Sequence, residues 1–176
     1  MKPIVDPSLE MEETKKNGAL PIQAKEGART FYLHPGGIYA SPDPVAVTTI
    51  LGSCVAVCLW DSLRGIGGIN HYLLPHWAGE GQSSGRFGNV AMRLLIEKVV
   101  GLGGKPRDLQ AKLFGGACVI EAMQASGRHL GIQNIDIARK LLEKEEIPVV
   151  GEDVGGKKGR KVIFHTDSGT AWVKLL

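Results

Sequence analysis

Cysteine is scarce in this chain: three occur in 176 residues, Cys54, Cys58 and Cys118. An odd number at irregular spacing makes no disulfide framework and fits a reduced compartment, so a cytoplasmic location is expected. Long apolar runs are also missing. The longest uncharged stretch, Pro44 to Trp60, contains Thr48, Thr49, Gly52 and Ser53 and is too short and too β-prone to cross a bilayer as a helix. Near the N-terminus stand Asp6, Glu10, Glu12 and Glu13, where an export signal would need an apolar heart. Membrane insertion is therefore not expected. Nor is there an excess of one charge. A net charge of +3 lacks the concentrated basic face of a dedicated nucleic-acid binder, so no nucleic-acid partner is expected.

What is present is ordinary globular material. The chain is 43% hydrophobic, and its length suits one domain with a sizeable core. Residues 1–30 are charged and weakly periodic and read as a flexible tail, leaving 31–176 as the domain. Strands are expected at Phe31–Leu33, Val45–Ile50, Val55–Trp60, Ile66–Leu74, Ala111–Phe114, Pro148–Val150, Val162–His165 and Thr170–Leu175. Asn89 opens a helix with Val90, Ala91, Leu94, Leu95 and Val99 on one side, stopped at Gly101. Asn134 caps a second helix with Ile135, Ala138, Leu141 and Leu142 inward. A short helix is expected over Cys118–Gln124. The class is α/β with mostly antiparallel strands.

The chemistry concentrates in Leu51-Gly52-Ser53-Cys54-Val55 and Gly67-Gly68-Ile69-Asn70-His71. A cysteine stands at the mouth of one apolar strand and a histidine in the next. If Asp61-Ser62-Leu63-Arg64 forms the loop, Trp60 faces Gly65 and Cys54 lies directly opposite His71, on the same face. A five-residue loop would put His71 on the other face, and a bulge at Gly67-Gly68 would restore it. A thiol and an imidazole in reach of each other make a nucleophile–base pair, and the imidazole is expected to lower the thiol pKa. Gly52 and Ser53 supply a tight turn whose amides can stabilise an oxyanion. A cysteine among valines is ordinarily a core residue, and Cys58 and Cys118 are read that way.

Two other patterns are discounted. Cys54, Cys58, His71 and His76 have zinc-finger spacing, but Cys54 and Cys58 on one strand lie roughly 13 Å apart, too far to share a metal with bonds of about 2.3 Å. No metal is expected. Gly151 to Lys158 resembles a phosphate-binding loop but has Lys158 where Ser or Thr should hold magnesium.

Together with Ala111–Ala117, Gly151–Gly156 and Gly159–Val162, these motifs resemble the CheD family, the chemoreceptor glutamine deamidases of bacterial chemotaxis. The likeness runs from about Phe31 to Lys174. It implies a single-domain layered α-β-β-α sandwich and a Cys–His–Thr triad. By motif position the triad falls on Cys54, His71 and Thr48, with Thr49 as the alternative to Thr48. It implies hydrolysis of receptor glutamine side chains to glutamate through a thioester, without a cofactor. The implied partners are the chemoreceptor cytoplasmic domain and a CheC-type phosphatase. Two rival readings remain: a non-catalytic adaptor that docks to receptors or such a phosphatase, and a receptor glutamyl methylesterase. The chain departs from the family pattern at Cys118 and Gln133.

Overall fold

The computed structural model describes residues 2–4, 29–79, 81–119 and 129–176. Ten strands form two five-stranded sheets. They are β1 (Lys2–Ile4), β2 (Arg29–Tyr32), β3 (Ile38–Ser41), β4 (Val45–Leu51), β5 (Val55–Asp61), β6 (Ile66–Asn70), β7 (Leu109–Gly115), β8 (Val149–Val154), β9 (Arg160–His165) and β10 (Ala171–Leu175). The first sheet runs β1-β10-β9-β4-β2 and the second β3-β6-β5-β7-β8. Among the described strands only β2–β4 and β7–β8 pair in parallel, so the mostly antiparallel class is observed. Two helices, α1 (Gly88–Gly101) and α2 (Leu130–Lys144), complete the described core.

Strand parity sorts the core. On β5, Val55, Val57 and Leu59 join α1 and α2 in one apolar cluster. Ala56 and Cys58 face the other way, into a second cluster with Val45, Val47, Leu51, Phe164 and Val173 of the first sheet. A strand buried on both faces must be apolar throughout, which is why Val55–Leu59 shows no polar alternation. Of the four expected layers, the described residues supply three: helices, second sheet, first sheet. The expected helix over Cys118–Gln124 falls largely on 120–128, outside the described residues, as does most of the expected tail. Lys2–Ile4 and the first two residues of β2, Arg29 and Thr30, lie within that tail's bounds, yet β1 and β2 form the two edges of the first sheet.

The β5–β6 hairpin departs from the expected register. Asp61 pairs with Ile66 and Trp60 with Gly67, so the loop is 62–65 rather than 61–64. The cause is the Asp61 carboxylate. Its Oδ1 accepts the amides of Leu63 and Arg64 at 3.1 Å, which keeps Asp61 in the strand and moves the turn one residue on; Gly65 closes it at φ +64°. The pairing slides by two positions, and a slide of two preserves the face on which every side chain sits.

Candidate active site

Three short segments meet at one end of the space between the sheets. β4 runs into the turn Gly52-Ser53-Cys54, β5 leaves it, and His71 follows the end of β6. A bridge pairs Val55 with Tyr72, so Cys54 is a diagonal rather than a direct neighbour of His71, contrary to the expected pairing. Both stay on the inter-sheet side. Cys54 packs against the inter-sheet cluster, and the His71 ring bonds a residue of the opposite sheet.

That residue is Thr49. Its hydroxyl lies 2.8 Å from His71 Nδ1 and donates to the Leu33 carbonyl at 2.8 Å. A hydroxyl has one hydrogen. With that hydrogen spent on Leu33, Thr49 Oγ1 accepts from His71 Nδ1–H, and the ring is the tautomer with its lone pair on Nε2. Nε2 is buried and has no hydrogen-bond partner among the described residues. Thr48, the residue first assigned to this position, alternates to the other side of β4. The burial along β4 leans the same way: Val45, Val47, Thr49 and Leu51 are all buried, whereas on the other parity Ala46 is buried, Thr48 is partly exposed and Ile50 is 48% exposed.

Electrostatics also differ from expectation. Burial lowers the His71 pKa to about 4, against a smaller opposing effect of the Leu33 carbonyl. Burial pushes the Cys54 thiol up rather than down, and its own amide opposes this only in part. A neutral imidazole carries no charge with which to stabilise a thiolate. The pair is therefore neutral thiol and neutral imidazole.

The carbonyls of the turn Gly52–Cys54 are each held by a donor from another segment. Ala117 N–H bonds Gly52 O at 2.8 Å, and Gly116 N–H bonds Cys54 O at 2.8 Å. The carboxamide of Asn134, in mid-helix α2, donates to Ser53 O at 3.0 Å and Leu73 O at 2.8 Å. Asn134 was expected as a cap, but α2 starts at Leu130, and the side chain turns inward. Among the described residues no backbone carbonyl accepts the N–H of Gly52, Ser53 or Cys54. Cys54 is half-buried, whereas Cys58 and Cys118 are buried.

Arg160 braces the site from below. It is 3% exposed and donates to Gly115 O at 2.7 Å and Gly155 O at 2.9 Å, with Asp153 at 2.9 Å. A groove of about 300 Å³ lined by Pro75, His76, Ile132, Gln133 and Asp136, among others, lies near the turn but includes neither Cys54 nor His71. No cluster of three metal-ligating side chains occurs among the described residues, and no helix among them is long and apolar enough to cross a membrane.

A partly buried thiol, an imidazole of fixed tautomer and a turn whose amides meet no backbone carbonyl among the described residues are the kinds of group that nucleophilic acyl transfer uses. The comparisons give this class a family. A family model described as CheD chemotactic sensory transduction matches residues 73–175; Cys54 and His71 precede that span. A protein of Anaeromyxobacter dehalogenans named probable chemoreceptor glutamine deamidase CheD 1 is 46% identical over 172 residues, covering 93% of this chain and 99% of the relative. Proteins named probable chemoreceptor glutamine deamidase CheD from Trichlorobacter lovleyi and Vibrio vulnificus are 43% and 36% identical. They cover 80% and 86% of this chain, and 87% and 74% of their own. The chain belongs to the CheD family.

Proposed function

We propose that this chain is a protein-glutamine deamidase acting on chemoreceptor cytoplasmic domains, with Cys54 as nucleophile, His71 as general base and acid, and Thr49 as the residue that orients His71. The observation that carries this reading is the His71 ring, pinned through Nδ1 to Thr49 and open at Nε2. The names of the curated relatives supply the substrate class.

The Cys54 thiol proton passes to His71 Nε2 as sulfur attacks the carboxamide carbon. The carbonyl oxygen becomes an oxyanion facing the amides of Ser53 and Cys54. His71 then gives its proton to the nitrogen, the C–N bond breaks, and ammonia leaves. Water attacks the thioester with His71 again as base, releasing a glutamate side chain and the thiol. A proton shuttle of this kind contributes about 10²–10⁴-fold.

Incubation with a chemoreceptor cytoplasmic domain tests the reading. Ammonia should be released and specific glutamines converted to glutamate, as read by peptide mass. Cys54→Ala and His71→Ala should each abolish this while receptor binding survives. Methanol from a methylated receptor without ammonia would favour the methylesterase. Binding without either product would leave the adaptor.

A further inference from the structure

We propose that Asn134 is a positioning residue that builds the oxyanion hole; the inference rests on the reading of Cys54 as an acyl-transfer nucleophile. The argument begins with peptide geometry. A trans peptide is planar, so its N–H points away from the C=O of the preceding residue. Holding the carbonyls of Gly52 and Ser53 inward therefore aims the amides of Ser53 and Cys54 outward. Gly52 O is held by the Ala117 amide and Cys54 O by the Gly116 amide. Ser53 O, between them, is held by a side chain, Asn134 Nδ2 at 3.0 Å. The Cys54 amide, the donor closest to the reacting sulfur, is thus set by this contact.

The same Nδ2 donates to Leu73 O at 2.8 Å, two residues beyond His71. One carboxamide therefore links the nucleophile turn to the segment that carries the base. Both partners are carbonyls, which fixes the nitrogen on this side of the group. The opposite atom, Oδ1, is buried with no partner among the described residues. The Asn134 backbone carbonyl accepts the Tyr72 hydroxyl at 2.5 Å, which anchors the helix turn that presents the side chain. A fully buried asparagine with its acceptor unmet and both donor bonds on site carbonyls is placed for those two bonds.

The test uses the full chain with Asn134→Leu and Asn134→Asp. Three quantities are measured: kcat and KM for ammonia release from a receptor cytoplasmic domain, affinity for a peptide aldehyde that Cys54 captures as a hemithioacetal, and the rate of Cys54 alkylation by iodoacetamide. Alkylation displaces iodide at a saturated carbon and forms no oxyanion, so it reports the thiol alone. In Asn134→Leu, kcat should fall roughly 10–100-fold, somewhat less than for removing an oxyanion donor outright. Aldehyde affinity should fall about as far, with KM and alkylation within about twofold of wild type. A folded Asn134→Leu with kcat and aldehyde affinity close to wild type would overturn the proposal. So would equal losses in all three quantities, which mark a collapsed turn.

If Asn134→Leu does not fold, Asn134→Asp decides. A neutral carboxyl can donate to Ser53 O and an ionised one cannot. Its aldehyde affinity relative to wild type should therefore recover as the pH falls from about 8 to about 6, burial having raised the carboxyl pKa; a flat ratio overturns the proposal. Absence of ammonia from the wild type would refute deamidation itself, while the aldehyde measurement would still decide Asn134.

Discussion

Two adjacent threonines on β4 point to opposite faces of the strand, and only one meets the His71 ring. Thr49 is fully buried against His71 and Leu33, and Thr48 faces away. Thr49→Val removes the acceptor that orients the ring and should lower kcat roughly 3–10-fold, the worth of one neutral hydrogen bond of about 0.5–1.5 kcal/mol. Thr48→Val should change kcat by less than about twofold, in line with a substitution outside the network. Kinetics of the two variants with one receptor substrate decide the assignment, and equal losses would undo it. The neutral thiol–imidazole pair makes a second claim. His71 with a pKa of about 4 is an unprotonated base at all higher pH, so the acid limb of kcat/KM for the free enzyme should fall near pH 4 rather than near the ordinary histidine value of about 6.5. Alkylation of Cys54 should keep rising with pH through neutrality, without the plateau between about pH 5 and 7 that an ion pair would give. Cys54 should still label before Cys58 and Cys118, because those two are buried.

At the level of elements, the strands around the site were legible because apolar runs bounded by turn residues signal strands directly. β4, β5 and β7 lie within a few residues of their expected bounds. β3 was not expected. Ile38–Ser41 is four residues between two turn clusters, and it forms because β6 offers an edge, a tertiary cause that local pattern does not carry. The start of α2 lies five residues before the expected one, because Asn134 has the chemistry of a cap whereas its side chain answers to Ser53 and Leu73. The hairpin register was misplaced by two because the Asp61 side chain sets the loop. The motif pointed to Cys54 and His71 and left Thr48 and Thr49 both open, while the contacts of Thr49 and Asn134 join segments far apart in sequence. Gly115 makes the same point as a prediction. It ends β7 at φ +106°, and a Cβ there would collide with the Cys54 carbonyl. Gly115→Ala combines a backbone penalty of about 1–2 kcal/mol with displacement of the nucleophile turn. Both the melting temperature and kcat should drop. A variant that loses stability yet keeps wild-type kcat would show that the turn is not braced from this side.

At the scale of the whole molecule, a histidine buried between two sheets is expected to make the fold sensitive to acid. His71 is 1% exposed, with its pKa lowered to about 4 by burial. In the unfolded chain it titrates near 6.5. Between those values the unfolded state binds a proton that the native state refuses, so stability rises with pH and is lost as pH falls from about 6.5 towards 4. At about 1.36 kcal/mol per pH unit the loss approaches 3 kcal/mol, a large share of the 5–15 kcal/mol typical of a domain. Asp61 acts in a different window. Its carboxyl is buried, yet bonds from Arg64 and from the Lys105 and Arg64 amides hold its pKa down, so its contribution is kept until the pH falls below the ordinary carboxylate range. Urea unfolding at pH 7, 5 and 4 separates the two. Wild type should lose stability steadily across that range. His71→Asn, which cannot take up the proton, should start less stable at pH 7 because it breaks the Thr49 contact, and should show a much flatter dependence down to pH 4. An equally steep slope in that variant would place the acid sensitivity elsewhere in the fold and remove the case for a buried, neutral base.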